Sequence, residues 1–297
     1  MKNVPELPEV ETTVRDLNRA NPKIVGSSFS NFWTETKKII KKPKSEENFK
    51  KELLGKKIIK IWRRGKNILF DLEDKKTLLI HQKLTGHLLY GKWKKEGKEW
   101  VCVLSGPISQ DPQNKFLRCI FFLDNGWQIA LSDLRKFAKI ELWEKNELEK
   151  ELSALGPEPL EKSFTFEKFK EVLKRRKKGK IKQVLMDQKI IAGIGNIYSS
   201  EILWQAKVHP LKEVKKLKEE ELKRIFEAMK EILKKAIRAG GESISDYRRI
   251  SGKKGKFDRL RKVYRREGEK CERCGAKIKR IKIGTRSTYF CPNCQKK

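Results

Sequence analysis

Apolar residues recur at two different spacings along the chain, and the change from one to the other divides it. Between Pro5 and Leu17, the residues Val10, Val14 and Leu17 fall on one helical face, and the prolines occupy only the first turn, where a missing amide hydrogen costs little. The spacing predicts a leading helix. Short runs rich in β-branched and aromatic residues follow: Ile58 to Trp62, Ile68 to Leu72, Leu78 to His81, Trp100 to Leu104, Ile120 to Leu123 and Gln128 to Leu131. Asp124-Asn125-Gly126 separates the last two and predicts a tight hairpin. Residues 5–143 therefore read as an antiparallel β domain with a helix in front. Gly91 to Lys115 is polar, carries Gly and Pro, and predicts a mobile loop. Residues 144–161, with Gly156-Pro157-Glu158-Pro159, read as a linker.

Beyond that point the period becomes helical. Helices are predicted over Phe166 to Arg176, Ile181 to Asp187, Ile197 to Ala206 and Lys218 to Ala239, the last one closed by Gly240-Gly241. This helical domain is taken as 162–252. Gly252 to Lys256 forms a basic loop, and 267–297 reads as a short cysteine-bearing hairpin.

Charge changes the picture more than composition does. The 297 residues carry 72 Lys+Arg against 39 Asp+Glu, a formal net charge of +33. Such an excess predicts attraction to polyanions, nucleic acid first and an anionic membrane surface second. No run is long and apolar enough to span a bilayer, and Pro5, Glu6, Pro8, Glu9 and Glu11 interrupt any signal-peptide core, so a cytoplasmic protein is expected.

Cys271-x-x-Cys274 and Cys291-x-x-Cys294 are two knuckles of the spacing that tetrahedral zinc requires. All four positions go to thiolate, leaving none open for water, so the zinc is structural and holds a hairpin too small to fold alone. Cys102 and Cys119 lie in strand patterns and are expected to be buried small hydrophobes. Gly193-Ile194-Gly195-Asn196 lies between helical segments, with Asn196 placed to cap the next one. Small residues with open backbone amides at a helix start suit a phosphate, and Lys182 and the basic run before it strengthen that reading. Glu6 and Glu9, three apart, share a helix face beside Pro5, whose amine, were it the chain terminus, would be a nucleophile with a carboxylate alongside to move protons.

The opening Pro5-Glu6-Leu7-Pro8-Glu9-Val10-Glu11, the Gly193-Ile194-Gly195-Asn196-Ile197-Tyr198 segment and the terminal four-cysteine hairpin together resemble the formamidopyrimidine-DNA glycosylases, over essentially the whole chain from Pro5. The resemblance implies an α+β architecture: an N-terminal antiparallel β-sandwich flanked by helices, then a helix–two-turns–helix domain with a zinc-finger hairpin. It implies a bifunctional enzyme of base excision repair, a glycosylase and abasic-site lyase. Its substrate would be double-stranded DNA with oxidised purines or abasic sites, and it would work as a monomer near the bacterial nucleoid without redox cofactor.

By the same resemblance, Pro5 is the nucleophile, Glu6 the general acid/base and Glu9 a supporting carboxylate. Lys66 is the hairpin lysine that contacts phosphate and assists catalysis. Lys182, Asn196 and Arg286 clamp phosphates around the everted nucleotide. Leu84, where the family usually has Met, fills the vacated space with Arg135, which reads the orphaned cytosine, and Phe137, a wedge. One departure stands out. The family's nucleophile is a mature N-terminal proline, whereas Met1 to Val4 precede Pro5 here. An amide nitrogen has no usable lone pair, so the expectation is that Val4 reflects a GTG start read as Met and removed. Three readings compete with this one: an oxidised-pyrimidine glycosylase of the endonuclease VIII type, an inert binder of damaged DNA if residues 1–4 are retained, and a ribosome-associated zinc protein.

Overall fold

A computed structural model describes residues 4–243 and 246–297, so Met1 to Asn3 of the expected start-site extension lie outside the described residues. The chain divides into two compact units, residues 1–152 with 239–256, and 153–238 with 257–297.

The first unit opens with helix α1, Leu7–Asn18, and continues through β1 (Phe29–Thr34), β2 (Ile40–Lys42), helix α2 (Glu46–Leu53) and β3 (Ile58–Arg64) to β4 (Asn67–Leu72), β5 (Lys76–His81) and β6 (Gly86–Gly91). Then come the ribbon β7 (Trp93–Glu96) and β8 (Glu99–Cys102), the short helix α3 (Pro107–Gln110), and β9 (Leu117–Leu123), β10 (Gln128–Asp133) and β11 (Lys139–Glu144). A four-stranded sheet in the order β1-β9-β10-β6 and a five-stranded sheet β2-β11-β5-β4-β3 share one core. Phe29, Phe32, Phe121 and Leu131 come from one sheet, Ile61, Phe70, Ile80 and Ile140 from the other, and Val10, Val14 and Phe49 from the flanking helices. This is the expected sandwich, antiparallel except that β2 joins β11 in parallel.

The predicted mobile loop is instead a structured lid on the outer face of the four-stranded sheet. Trp93, Trp100, Cys102, Leu104 and Ile108 pack there against Leu89, Ile120 and Ala130, which explains why the apolar residues of that stretch are spaced as they are. Cys119 is buried, but Cys102 is only half-buried.

Helix α4, Lys145–Ser153, occupies the first part of the expected linker. The second unit holds α5 (Phe166–Lys174), α6 (Ile181–Met186), α7 (Asn196–Gln205), α8 (Glu219–Arg238) and the hairpin β12 (Lys279–Ile283) with β13 (Arg286–Phe290). Thr165 caps α5, accepting the Lys168 amide at 3.3 Å. Gly240 and Gly241 end α8 at φ values of 78° and 80°, the left-handed region that glycine favours. The sequence reading carries the helical domain to 252, but residues 239–256 belong to the first unit because they hydrogen-bond back to α1 and the sandwich.

Candidate functional site

At the start of α1 two carboxylates sit back to back. Glu6 is the N-cap residue and Glu9 the third helical residue, and each side chain receives the other's backbone amide in a capping box. The Glu6 amide donates to Glu9 Oε2 at 2.8 Å. Both residues are almost closed to solvent, at 2% and 1% exposure, and Pro5 is buried beside them. Glu9 Oε1 accepts the Glu242 amide at 2.7 Å, and Gly241 approaches so closely that a Cβ there would stand 3.0 Å from that oxygen. Helix propensity alone explains acidic residues here. Burial with directed hydrogen bonds does not follow from it.

The hairpin β3–β4 lies along α1. Asn18 Nδ2 donates to the Ile61 carbonyl at 3.0 Å, and Arg63 Nε to Glu11 Oε2 at 3.0 Å, so the strand climbs toward the helix start as it nears its turn. That turn is Gly65-Lys66, with Gly65 at φ 57°. Lys66, Lys83 and Lys139 all bear on His81, and burial first, then these charges, push its imidazole down to about 3. A neutral His81 amid lysines leaves the cluster positive. Burial tends to raise the Glu11 carboxyl, but hydrogen bonds and charges from Arg63 and Arg15 hold it below the usual range.

A second group of predicted residues gathers around Asp133, which the sequence reading missed. Its buried carboxylate accepts the amides of Phe137 at 2.7 Å and Ala138 at 2.8 Å through Oδ2, and that of Arg135 at 3.2 Å through Oδ1. The hydroxyl of Thr85, next to Leu84, also donates to Asp133, which ties the 81–86 turn to the 133–138 turn. Lys136 has φ 57°, a left-handed residue that this carboxylate stabilises. Phe137 is 49% exposed, and the Arg135 guanidinium stands 4.5 Å from its ring centroid. An exposed aromatic on a rigid turn suits insertion into a base stack. The signal in the sequence was Ser132-Asp133 ahead of Leu134-Arg135-Lys136, since Asp at a strand end often organises the following turn.

In the second unit, Lys182 is 1% exposed and its Nζ donates to the Asn196 carbonyl at 2.8 Å and Ser200 Oγ at 2.6 Å. Asn196 does not cap α7, because Gly195 is the N-cap and Asn196 the first helical residue. Its side chain instead reaches the hairpin, donating to the Ser287 carbonyl at 3.0 Å, while its Oδ1 is buried with no partner. Lys182 and Arg286 line one cavity of about 190 Å³ together with Gly284 and Thr285 of the hairpin turn. The three predicted phosphate residues are therefore neighbours.

Glu201, missed from sequence, anchors the approach to the hairpin. It is buried and accepts the amides of Lys262 (2.7 Å), Val263 (3.1 Å) and Tyr264 (2.8 Å), with burial raising its carboxyl above the usual range. The four sulfurs of Cys271, Cys274, Cys291 and Cys294 lie within 4.8 Å of one another, with Cys274···Cys291 at 3.4 Å and Cys271···Cys294 at 4.0 Å. Tetrahedral zinc with bonds of about 2.3 Å sets sulfurs about 3.8 Å apart, so the donors fit one zinc. The Trp204 indole N–H points at Cys271 Sγ from 3.4 Å.

Family models for known proteins match in three blocks: the formamidopyrimidine-DNA glycosylase N-terminal domain over 4–140, its H2TH domain over 155–248, and a zinc finger found in FPG and IleRS over 268–297. A formamidopyrimidine-DNA glycosylase of Pelotomaculum thermopropionicum is 38% identical over 295 residues, covering 99% of each chain. The chain belongs to the formamidopyrimidine-DNA glycosylase family. The Carboxydothermus hydrogenoformans family member is 39% identical over 293 residues, covering 99% of this chain and all of its own. Among solved structures, the Lactococcus lactis Fpg bound to abasic-site DNA superposes with a TM-score of 0.82 at 35% identity, covering 98% of this chain and 100% of that one. The same protein with N7-benzyl-Fapy-dG DNA gives 0.83 at 36%, covering 99% and 100%. The H2TH and zinc-finger matches agree with the helical domain and the cysteine cluster, and the zinc is structural. Among the described residues no helix is long and apolar enough to cross a membrane.

Proposed function

We propose that the chain is a bifunctional DNA glycosylase and abasic-site lyase of base excision repair that removes oxidised purines. Its family membership makes it a DNA glycosylase, and its +33 charge suits a duplex partner. The observation that carries the mechanism is the capping box: two buried carboxylates are held immediately after Pro5.

In this reading the Pro5 nitrogen, as a free secondary amine, attacks the sugar C1′. The new N–C1′ bond replaces the glycosidic bond, the base leaves with its electron pair, and Glu6 takes and returns the amine proton. The nitrogen lone pair then opens the sugar at the C1′–O4′ bond, O4′ takes the proton from Glu6, and the resulting iminium acidifies the 2′ hydrogen, so the 3′ and then the 5′ phosphate leave by β- and δ-elimination. Glu9 holds Glu6 in place through its amide. Lys66, in its positive turn, steadies a backbone phosphate and the sugar. Leu84, Arg135 and Phe137 occupy the space of the everted nucleotide. Lys182, Asn196 and Arg286 take flanking phosphates. The scheme draws every residue from one copy of the chain, which supports a monomer.

The scheme requires the Pro5 nitrogen to be free of Val4. Borohydride trapping on abasic DNA tests it, with proteins whose first residue is Met1 or Pro5. An adduct with the Pro5 form alone is expected. Adducts with both would move the nucleophile to a lysine such as Lys66, and adducts with neither would leave a damaged-DNA binder. Excision from 8-oxoguanine:C faster than from thymine-glycol duplexes is expected, and the reverse order would favour the oxidised-pyrimidine enzyme.

A further inference from the structure

The segment after α8 is held from two sides within the first unit. Toward α1, the Glu242 amide donates to Glu9 Oε1 at 2.7 Å and the Tyr247 hydroxyl donates to the Glu9 carbonyl at 3.1 Å. Toward the sandwich it docks on the stretch between β8 and β9. Arg248 Nε donates to Asp111 Oδ2 at 2.7 Å, with the two side chains only 5% and 14% exposed. The same guanidinium turns back, and its Nη1 donates to the Tyr247 carbonyl at 2.8 Å. Two further contacts seal this seam. The Tyr90 amide donates to the Ile250 carbonyl at 2.8 Å, and a Cβ on Gly252 would stand 2.4 Å from Ile108 Cα.

The docking face is rigid in its own right. Asp111 Oδ1 accepts the Gln113 amide at 3.0 Å, Asn114 Nδ2 donates to the Pro107 carbonyl at 2.9 Å, and Asn114 Oδ1 meets His87 Nε2 at 3.0 Å. Contacts thus run from Asp111 through Arg248 to Tyr247, from Tyr247 to Glu9, and from Glu9 to the Glu6 amide.

We propose that Asp111 and Arg248 form a latch that positions Glu9, and through it Glu6, so that both are positioning residues for base excision. The inference rests on the assignment of Glu6 and Glu9 to the reaction. One planar fork serves both the Asp111 carboxylate and the Tyr247 carbonyl, which a lysine ammonium on a flexible stem does not reproduce. Removing either charge leaves the other buried without the opposite charge of the ion pair, and the cheapest relief is a local shift of the Tyr247 peptide. The segment would not detach, because Arg249 separately grips Asp16 with Nε at 2.8 Å and Nη2 at 2.7 Å. The expected defect is therefore misplacement and not unfolding.

The test uses the full chain from Pro5 and the variants Asp111→Asn, Arg248→Lys, Arg248→Met and Asp111→Asn with Arg248→Met together. Single-turnover excision from an 8-oxoguanine duplex is measured per borohydride-trappable site, which removes any misfolded fraction. The DNA Kd is measured alongside. Each single variant should excise about tenfold to a hundredfold more slowly per site, the loss that a displacement near 1 Å brings, with Kd within about twofold. The double variant should be no slower than the slower single one, the signature of one shared interaction. Unchanged rates per site, or losses that multiply in the double variant, would overturn the latch. A wild-type protein that neither traps nor excises would instead sink the catalytic assignment, and the latch with it.

Discussion

The start of α1 and the cysteine hairpin place functional groups by opposite means. Glu6 and Glu9 lean on a large apolar core: the helix that carries them packs Val10, Val14 and Leu17 into the cluster that holds the phenylalanines of the sheets. Their exact placement then needs only backbone amides. The hairpin has Trp204, Val263, Ile278 and a few partly buried neighbours for a core, too little to fix Arg286 and Ser287 beside Asn196. Four thiolates supply what burial cannot. Where apolar area is plentiful a site is positioned by caps and turns, and where it is scarce a metal replaces it.

The harshest way to break this contrast is to remove a thiolate. Cys291→Ser should cost the hairpin most of a metal-binding free energy on the order of 10 kcal/mol. Hydrogen exchange should show loss of protection across β12 and β13 while β9 and β10 stay protected, with zinc content falling to near zero. Equal loss in both regions would mean that the zinc supports the whole molecule.

Glu6→Gln comes next. It should leave DNA affinity within about twofold yet slow excision about 100- to 10,000-fold, the usual contribution of a positioned proton carrier. The amide can still accept the capping hydrogen bond, so the fold should persist. Normal excision would remove Glu6 from the reaction.

The sandwich has a weakness of its own in acid. His87 is fully buried against Asn114, and burial pushes its imidazole down to about 4. Between the unfolded value near 6.5 and that value the unfolded chain binds the proton and the folded one does not. Stability from this group is therefore complete above about pH 6.5 and falls by up to about 3 kcal/mol as pH drops toward 4. His87→Gln should flatten that part of a denaturation series, and an unchanged slope would place the acid sensitivity elsewhere.

The mildest change sharpens the zinc side. Trp204→Phe keeps an aromatic side chain and removes the N–H that meets Cys271 Sγ, a hydrogen bond worth about 1 kcal/mol. Zinc release to a chromogenic chelator should quicken a few-fold, and an identical rate would make that contact packing alone.

Much of this was legible without coordinates, for stated reasons. The cysteine spacing announced the metal because tetrahedral thiolate geometry tolerates few spacings. The Asp124-Asn125-Gly126 turn and the helices from Phe166 onward were readable because each is decided by neighbours in sequence. Strand β2 and the lid over the four-stranded sheet were not. Lys42 and Lys94 look like solvent residues, and only pairing with β11 or packing around Trp93 makes their segments strands. Asn196 was misread for a related reason, because a helix-start asparagine looks like a cap until the hairpin carbonyl of Ser287 appears beside it.

By itself, then, the sequence determined the strongly patterned elements, the zinc ligands and the family, since each depends on spacing along the chain. Only the tertiary structure decided which residues hold the site. Asp133 organises a turn for Arg135 and Phe137, Glu201 anchors the approach to the zinc hairpin, and Arg248 reaches Asp111 across 137 positions of sequence. A carboxylate's role depends on the amides and guanidinium groups that the fold brings to it, and no periodicity along the chain records those partners.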